Sequence, residues 1–390
     1  MAEVKNTDME SRKRLFIDDD IIQDMKGLQR VLNQPRKHLG NPILKPDQAW
    51  EKDTEYGWSK PCVLFDDEDG IYKMWYGVRE NLPGPEYSGG KNTLAYATSK
   101  DGVHWEKPRL GLFAWGGTKE NNIVFEPLRW AVHGVIKDPH ETNAIKKYKM
   151  LFHFQTQEMG RMGFYQPINA AYSSDGIHWN PKPNWHRNPV IWPGSDLQGV
   201  AFWWDPRLGK YVVLLRGVPE FPYNVRDIWS TSESEDFVNW SNRTVILRPD
   251  EKDPSQDRQF YDMVAVRYEE AYLGLVSVYH VLNEDWVSSH KITTDMPSWM
   301  DKIDVQLIYS QDGVKWMRAG EREIFLPYGP EGSWDSGMVF GAQPPFIVVG
   351  DEIWTYYLAE NRLHYDGDRG EKGESTIGLA RLRLDGFISL

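Results

Sequence analysis

One element written four times along the 390-residue chain constrains the fold more than any other feature. Segments Ser99-Lys-Asp-Gly-Val-His-Trp105, Ser173-Ser-Asp-Gly-Ile-His-Trp179, Ser234-Glu-Asp-Phe-Val-Asn-Trp240 and Ser310-Gln-Asp-Gly-Val-Lys-Trp316 share the pattern Ser-x-Asp-x-(Val/Ile)-x-Trp. A weaker copy, Asp385-Gly386-Phe387, closes the chain. A second ladder runs in step with it: Tyr72-Lys-Met-Trp75, Tyr148-Lys-Met-Leu151, Tyr211-Val-Val-Leu214, Tyr272-Leu-Gly-Leu275 and Trp354-Thr-Tyr-Tyr357. Two ladders in step mean a repeated supersecondary unit that buries its apolar face only against its neighbours.

Each unit reads as four short strands. In the first, Pro61–Phe65 is a strand and Asp66–Gly70 a turn of the residues that turns demand. Ile71–Val78 and Thr93–Thr98 follow as strands, and the Ser-x-Asp-Gly turn leads to an outer strand at His104-Trp105. Strands divided by turns at this density predict an antiparallel all-β fold. Four-stranded sheets repeated around an axis make a β-propeller, so the expectation is a single five-bladed propeller domain over 1–390, with 1–14 frayed. Little chain remains after Gly386 for the last outer strand. The N-terminal region around Leu28–Leu32 is therefore expected to supply it and close the ring, since an open blade would expose an unpaired edge. The Ser-x-Asp-Gly element lies on an outer turn, where its aspartate caps amides and its tryptophan packs between strands. That placement gives it a structural role.

Charge and composition exclude whole classes of function. Acidic residues number 57 against 45 basic ones, a net charge of −12, so nucleic acid and anionic membrane surfaces are not expected partners. Cys62 is the one cysteine, which rules out an internal disulfide and a cysteine-built zinc site. The N-terminus carries no apolar stretch of secretory type, so a cytoplasmic protein is expected, or an exported one if a leader was removed. The aromatic load of 18 Trp, 19 Tyr and 15 Phe serves sheet cores, and it also favours a carbohydrate partner whose sugar faces stack on rings.

In a propeller the starts of first strands and the ends of second strands share one rim. That rule selects Trp58, Ser59 and Lys60, then His133, Asp196 with Gln198, Tyr261 with Asp262, and Trp334 with Asp335. Second-strand ends add Arg79, Glu80, His153, Arg216, His280 and Glu360. Asp196, Asp262 and Asp335 occupy equivalent places and are the catalytic candidates, because carboxylates that share a pocket drive their pKa values apart into an acid and a base. Asp335, between Trp334 and Ser336, ranks first; a turn-capping role for each aspartate stays open. Trp58, His133, Arg216, Tyr261, His280, Trp334 and Glu360 are the substrate-binding candidates. No cofactor is expected, although a structural calcium ion in the channel stays open; Asp366-Gly367-Asp368 lacks the rest of an EF-hand loop.

The Ser-x-Asp-Gly elements resemble the aspartate boxes of sialidases, which are structural turns. The whole chain resembles the five-bladed propeller glycoside hydrolases of families 32 and 43. It is most similar to a bacterial family-32-like group through Leu-Phe-Ile-Asp-Asp (Leu15–Asp19) and Leu-Ala-Arg-Leu-Arg-Leu-Asp-Gly-Phe (Leu379–Phe387). The family-32 segments Asn-Asp-Pro-Asn-Gly, Arg-Asp-Pro and Glu-Cys do not occur. The resemblance therefore implies fold and sugar substrate and transfers no catalytic residue. The function expected is exo-acting glycoside hydrolysis of a terminal sugar, furanosides included, from an oligosaccharide or glycoside. A non-catalytic carbohydrate-binding propeller is the alternative. A lyase or phosphorylase is the third reading, and clustered Arg and His around a single carboxylate would mark it.

Overall fold

The computed structural model describes residues 15–18, 22, 24–52, 54–57, 59–80, 92–128, 132–153, 166–185, 187–195, 200–217, 229–253, 259–280, 301–364 and 373–390. Among them the named elements are strands apart from two single 3₁₀ turns, Ala49–Glu51 and Ala144–Lys146. No helix among the described residues is long and apolar enough to cross a membrane.

Two short strands, β1 (Val31–Leu32) and β2 (Arg36–Lys37), precede the repeated units. In the first unit β3 (Thr54–Tyr56) and β4 (Cys62–Asp66) pair side by side with β5 (Ile71–Glu80), which pairs with β6 (Asn92–Ser99) and then β7 (Ile123–Leu128). The second runs β8 (Val132–Lys137), β9 (Tyr148–His153), β10 (Gln166–Ser173), with β11 (Asn180–Pro181) and β12 (Ile191–Ser195) on its outer edge. The third is β13 (Val200–Asp205), β14 (Lys210–Arg216), β15 (Trp229–Ser234) and β16 (Thr244–Leu247). Next come β17 (Gln259–Tyr268), β18 (Ala271–Tyr279) and β19 (Ile303–Ser310), edged by β20 (Met317–Arg318) and β21 (Ile324–Leu326). The last comprises β22 (Met338–Gly341) and β23 (Ile347–Val349), both on β24 (Glu352–Glu360), then β25 (Ser375–Arg383) and β26 (Ile388–Ser389).

The N-terminal strands dock on this last unit. β2 pairs with β25, and β1 pairs with β26. The edge of β25 is thus taken by Arg36–Lys37 and, further on, by Leu44 bridging Ile377, a few residues beyond the segment the sequence suggests. One strand assignment needs correction. His104-Trp105 forms no outer strand in the first unit. Glu106 makes a single bridge to Thr98, and the chain then swings out and returns as β7. The box turn ends with its own amides satisfied, so nothing forces immediate pairing.

Successive residues of a strand point to opposite faces, and both faces of each unit are buried. Met74 packs in a cluster with Tyr356, Leu358 and Leu379 of the last unit, while its neighbour Trp75 joins Met150 and Phe152 of the second. Leu151 faces Val213 and Phe202 of the third unit. Burial on two sides explains why the second-strand ladder reads as a nearly unbroken apolar run.

The four box turns share one geometry. Asp101 Oδ1 accepts from the amides of Val103 and His104, both at 2.8 Å, and the Ser99 hydroxyl accepts from Gly102 N at 2.9 Å. Asp175, Asp236 and Asp312 repeat the pair of amide bonds. Units are stapled through these turns: the Trp75 indole donates to Gly176 O at 2.7 Å, and the Tyr356 hydroxyl to Gly102 O at 2.8 Å. Aspartates and serines are consumed by the turn.

Candidate functional site

Two rim positions are built by β-bulges, which insert an extra residue and re-aim side chains. In β17 the register with β18 shifts between Phe260 and Asp262. In β8 it shifts between Val132 and Gly134, at His133. The first strands meet at these ends. Lys60, one turn ahead of β4, places Nζ 2.5 Å from Asp262 Oδ1 and 3.0 Å from the Val200 carbonyl oxygen. Three units therefore converge on one ammonium group.

Asp262 and Lys60 are both buried. Burial pushes the Asp262 carboxyl up, opposed by the charge and hydrogen bond of Lys60. Burial pushes the Lys60 ammonium down, opposed by Asp262 and reinforced by Arg216. The pair is thus balanced against its own desolvation. Arg216, ending β14, donates to the Tyr261 carbonyl and lies 5.1 Å over the Tyr261 ring. The Tyr261 hydroxyl sits 3.2 Å from His364 Nε2. His133 Nε2 and His153 Nδ1 are 2.5 Å apart with rings edge to face. Burial, then the neighbouring His153 and Lys60, hold His133 well below the usual histidine range. It is a neutral imidazole at pH 7.

A second ionic group lies at the strand ends of the first and last units. Glu55 on β3 pairs with Arg79 at the end of β5, and accepts from Arg362 Nη2 at 3.2 Å. Arg362 Nε also donates to Glu360 at 2.8 Å. Burial pushes the Glu55 carboxyl up against the pull of Arg79 and Arg362. His280 is held by Asp304 at 2.6 Å.

The structure thus gathers Tyr261, Asp262 and Arg216 around Lys60, with His133 close enough to feel the Lys60 charge. Glu360 joins the arginine group, and His280 is bound to Asp304. Asp335 and Trp334 are engaged elsewhere. The Asp335 carboxylate takes Lys37 Nζ at 2.5 Å and the Ser333 hydroxyl at 2.9 Å. Trp334 stacks on Tyr357 at 5.7 Å. Asp335 fastens the N-terminal strand β2 to the last unit, while Trp334 packs on β24 within that unit. Trp58, Asp196 and the acidic loop at Asp366 lie outside the described residues.

Sequence reasoning placed Lys60, Arg79 and His153 on the rim without giving them a role. Glu55 and Arg362 escaped it, because β3 runs ahead of the strand that the repeat marks and Arg362 follows the end of β24. Among the described residues no three His, Cys, Asp or Glu side chains cluster as a metal cradle.

No protein-family model and no curated protein matches this chain. Solved structures do. The β-1,2-mannobiose phosphorylase from Listeria innocua, in complex with β-1,2-mannobiose, superposes with a TM-score of 0.56 at 12% identity, over 90% of this chain and 96% of its own. An N-acetylgalactosamine deacetylase from F. plautii, in complex with blood group B trisaccharide, gives 0.55 at 15%, over 90% and 95%. The GH43_1 enzyme from Xanthomonas citri, complexed with xylotriose, gives 0.51 at 10%, over 88% and 95%. At these identities the likeness establishes a fold shared with these three proteins.

Proposed function

We propose that the protein is a carbohydrate-active enzyme that cleaves a terminal glycosidic bond at the rim formed by Lys60, His133, Arg216, Tyr261 and Asp262. The units described above are read as five blades of one propeller domain, its ring closed where the N-terminal strands join β25 and β26 and where the first and last units share a core. The observation that carries the chemistry is Asp262: a buried carboxyl, raised by desolvation, placed by a bulge among cations. Because burial raises the Asp262 carboxyl and lowers the Lys60 ammonium, the pair shares a proton that Asp262 can pass to the departing glycosidic oxygen. Water then adds to the anomeric carbon, and its proton restores the acid. Neutral His133 supplies a hydrogen bond to a substrate hydroxyl, and the Tyr261 hydroxyl a second. The sugar complexes of the structural neighbours support a carbohydrate as substrate.

A second reading has its own support. Lys60 and Arg216 bear on Asp262, and His133 lies near Lys60. Clustered cations beside one acid suit phosphorolysis, in which a phosphate oxygen replaces water at the anomeric carbon. Incubating the protein with aryl glycosides and oligosaccharides, with and without inorganic phosphate, decides among these readings. Phosphate-independent release of free sugar supports hydrolysis. Sugar phosphate formed only with phosphate supports phosphorolysis. No turnover from folded protein leaves the carbohydrate-binding alternative.

A further inference from the structure

Residues 361–364, just after β24, cross from the last unit onto the fourth. Their base is closed by Asn361 N on the Glu374 carbonyl at 3.2 Å and Glu374 N on Asn361 Oδ1 at 2.8 Å. Arg362 turns into Glu360 and Glu55, seated so closely that a Cβ at Gly337 would collide with its carbonyl oxygen. Two residues on, His364 N donates to the carbonyl of Asp301, just ahead of β19, at 3.1 Å. The half-buried His364 ring lies on Tyr279, centroids 4.6 Å apart. It meets Tyr261 edge to face at 5.1 Å, with Nε2 3.2 Å from the Tyr261 hydroxyl.

Tyr261 stands at the bulge of β17, immediately before Asp262. A bulge breaks the ladder locally, so the aim of the side chains there depends on contacts from outside the strand pair. Tyr261 is held at both ends. Arg216 of the third unit donates to its backbone carbonyl, and His364 of the last unit meets its hydroxyl. We propose that His364 is a positioning residue: through Tyr261 it fixes the bulge beside Asp262, and so the contact of Asp262 with Lys60. Its effect on turnover rests on the reading of Asp262 given above; its effect on the carboxyl itself does not. The charged groups that bear on Asp262 are Lys60, ahead of β4, and Arg216 on β14, and the Met263 amide bonds it from its own strand. A bulge freed to turn lengthens the 2.5 Å contact with Lys60. The attraction weakens with distance, and burial then raises the carboxyl further.

The test is a carboxyl titration that needs no substrate. The full chain is labelled with ¹³C at its aspartate carboxyls, and the Asp262 signal is identified by its loss in Asp262→Asn. His364→Phe keeps a ring on Tyr279 and removes the bond to Tyr261; His364→Gln keeps a polar group within reach of the hydroxyl. His364→Phe is expected to raise the Asp262 midpoint by about one pH unit, and His364→Gln to leave it close to native. Tyr261→Phe breaks the same bond from the other side, so the double variant should shift no further than either single one. On any glycoside the protein cleaves, the alkaline limb of kcat against pH moves up with the midpoint. An unmoved midpoint in folded His364→Phe overturns the inference, as do shifts that add in the double variant. A moved midpoint in a protein that cleaves no glycoside sustains the positioning role and counts against the glycosidase reading alone. Should His364→Phe fail to fold, His364→Asn, too short to reach the hydroxyl, takes its place.

Discussion

Phe237 stands where the other three boxes carry glycine, at Gly102, Gly176 and Gly313. Its φ is 64°, in the left-handed region that those glycines also occupy. Its side chain is fully buried, with ring centroids of Tyr211 at 5.0 Å and Phe202 at 5.5 Å. Backbone strain and core packing therefore oppose each other at one residue. Truncating a buried phenylalanine to alanine costs about 3–5 kcal/mol, and alanine retains the left-handed penalty of about 1–2 kcal/mol. Glycine loses the same ring and a further ~0.5–1 kcal/mol of chain entropy, but it releases that penalty. Phe237→Gly is therefore expected to be more stable than Phe237→Ala by about 0.5–1 kcal/mol, the reverse of the usual order within a sheet. Urea unfolding followed by tryptophan fluorescence, with equal m-values, measures the difference. An alanine variant equal to or more stable than the glycine variant refutes the claim that the turn imposes the conformation.

Other outcomes follow from the same geometry. Gly176→Ala puts a Cβ 2.6 Å from Trp75 Cζ2 at a φ of +78°, so a loss on the order of 2–4 kcal/mol is expected in the same assay. Lys60→Met leaves the Asp262 carboxylate buried without its cation, and a loss of about 3–5 kcal/mol at pH 7 should shrink as the pH falls and the acid takes up a proton; a pH-independent loss counts against the pair. Burial works to raise Asp66, but hydrogen bonds from Lys137, Lys73 and Tyr148 outweigh it and hold the group well below the usual range. Its stabilisation is complete above the unfolded carboxyl range near pH 4 and is lost as pH falls through the depressed value, so Asp66→Asn should flatten the acid limb of a Tm–pH curve. Burial pushes the Cys62 thiol up to about 12, so a thiol reagent at pH 8 should label the native chain only as fast as it unfolds.

The repeated units were legible because a turn closed by Asp and Ser, and an aromatic or apolar second strand, are local devices. Strands β4, β5 and β6 begin and end within two residues of the reading. Site chemistry was less legible, for a geometric reason. Equivalence in the repeat locates a backbone but not the direction of a side chain. The repeat reads Asp335 and Asp262 as equivalent, yet Asp262 lies within β17 beside its bulge and binds Lys60, whereas Asp335 lies in the turn ahead of β22 and binds Lys37. Bulges leave no mark in a hydrophobic pattern. The Arg362–Glu55 bond joins residues 307 apart in sequence, and no spacing argument reaches so far.

The most direct test is the turnover of Asp262→Asn on whichever glycoside the native protein cleaves, with and without phosphate. Asparagine keeps the size and the Met263 amide contact but cannot transfer the proton. The account predicts a fall in kcat of about 10²-fold or more with the fold retained, and a near-native rate for Asp335→Asn, which loosens only the N-terminal strand. An Asp262→Asn variant that turns over at the native rate contradicts it.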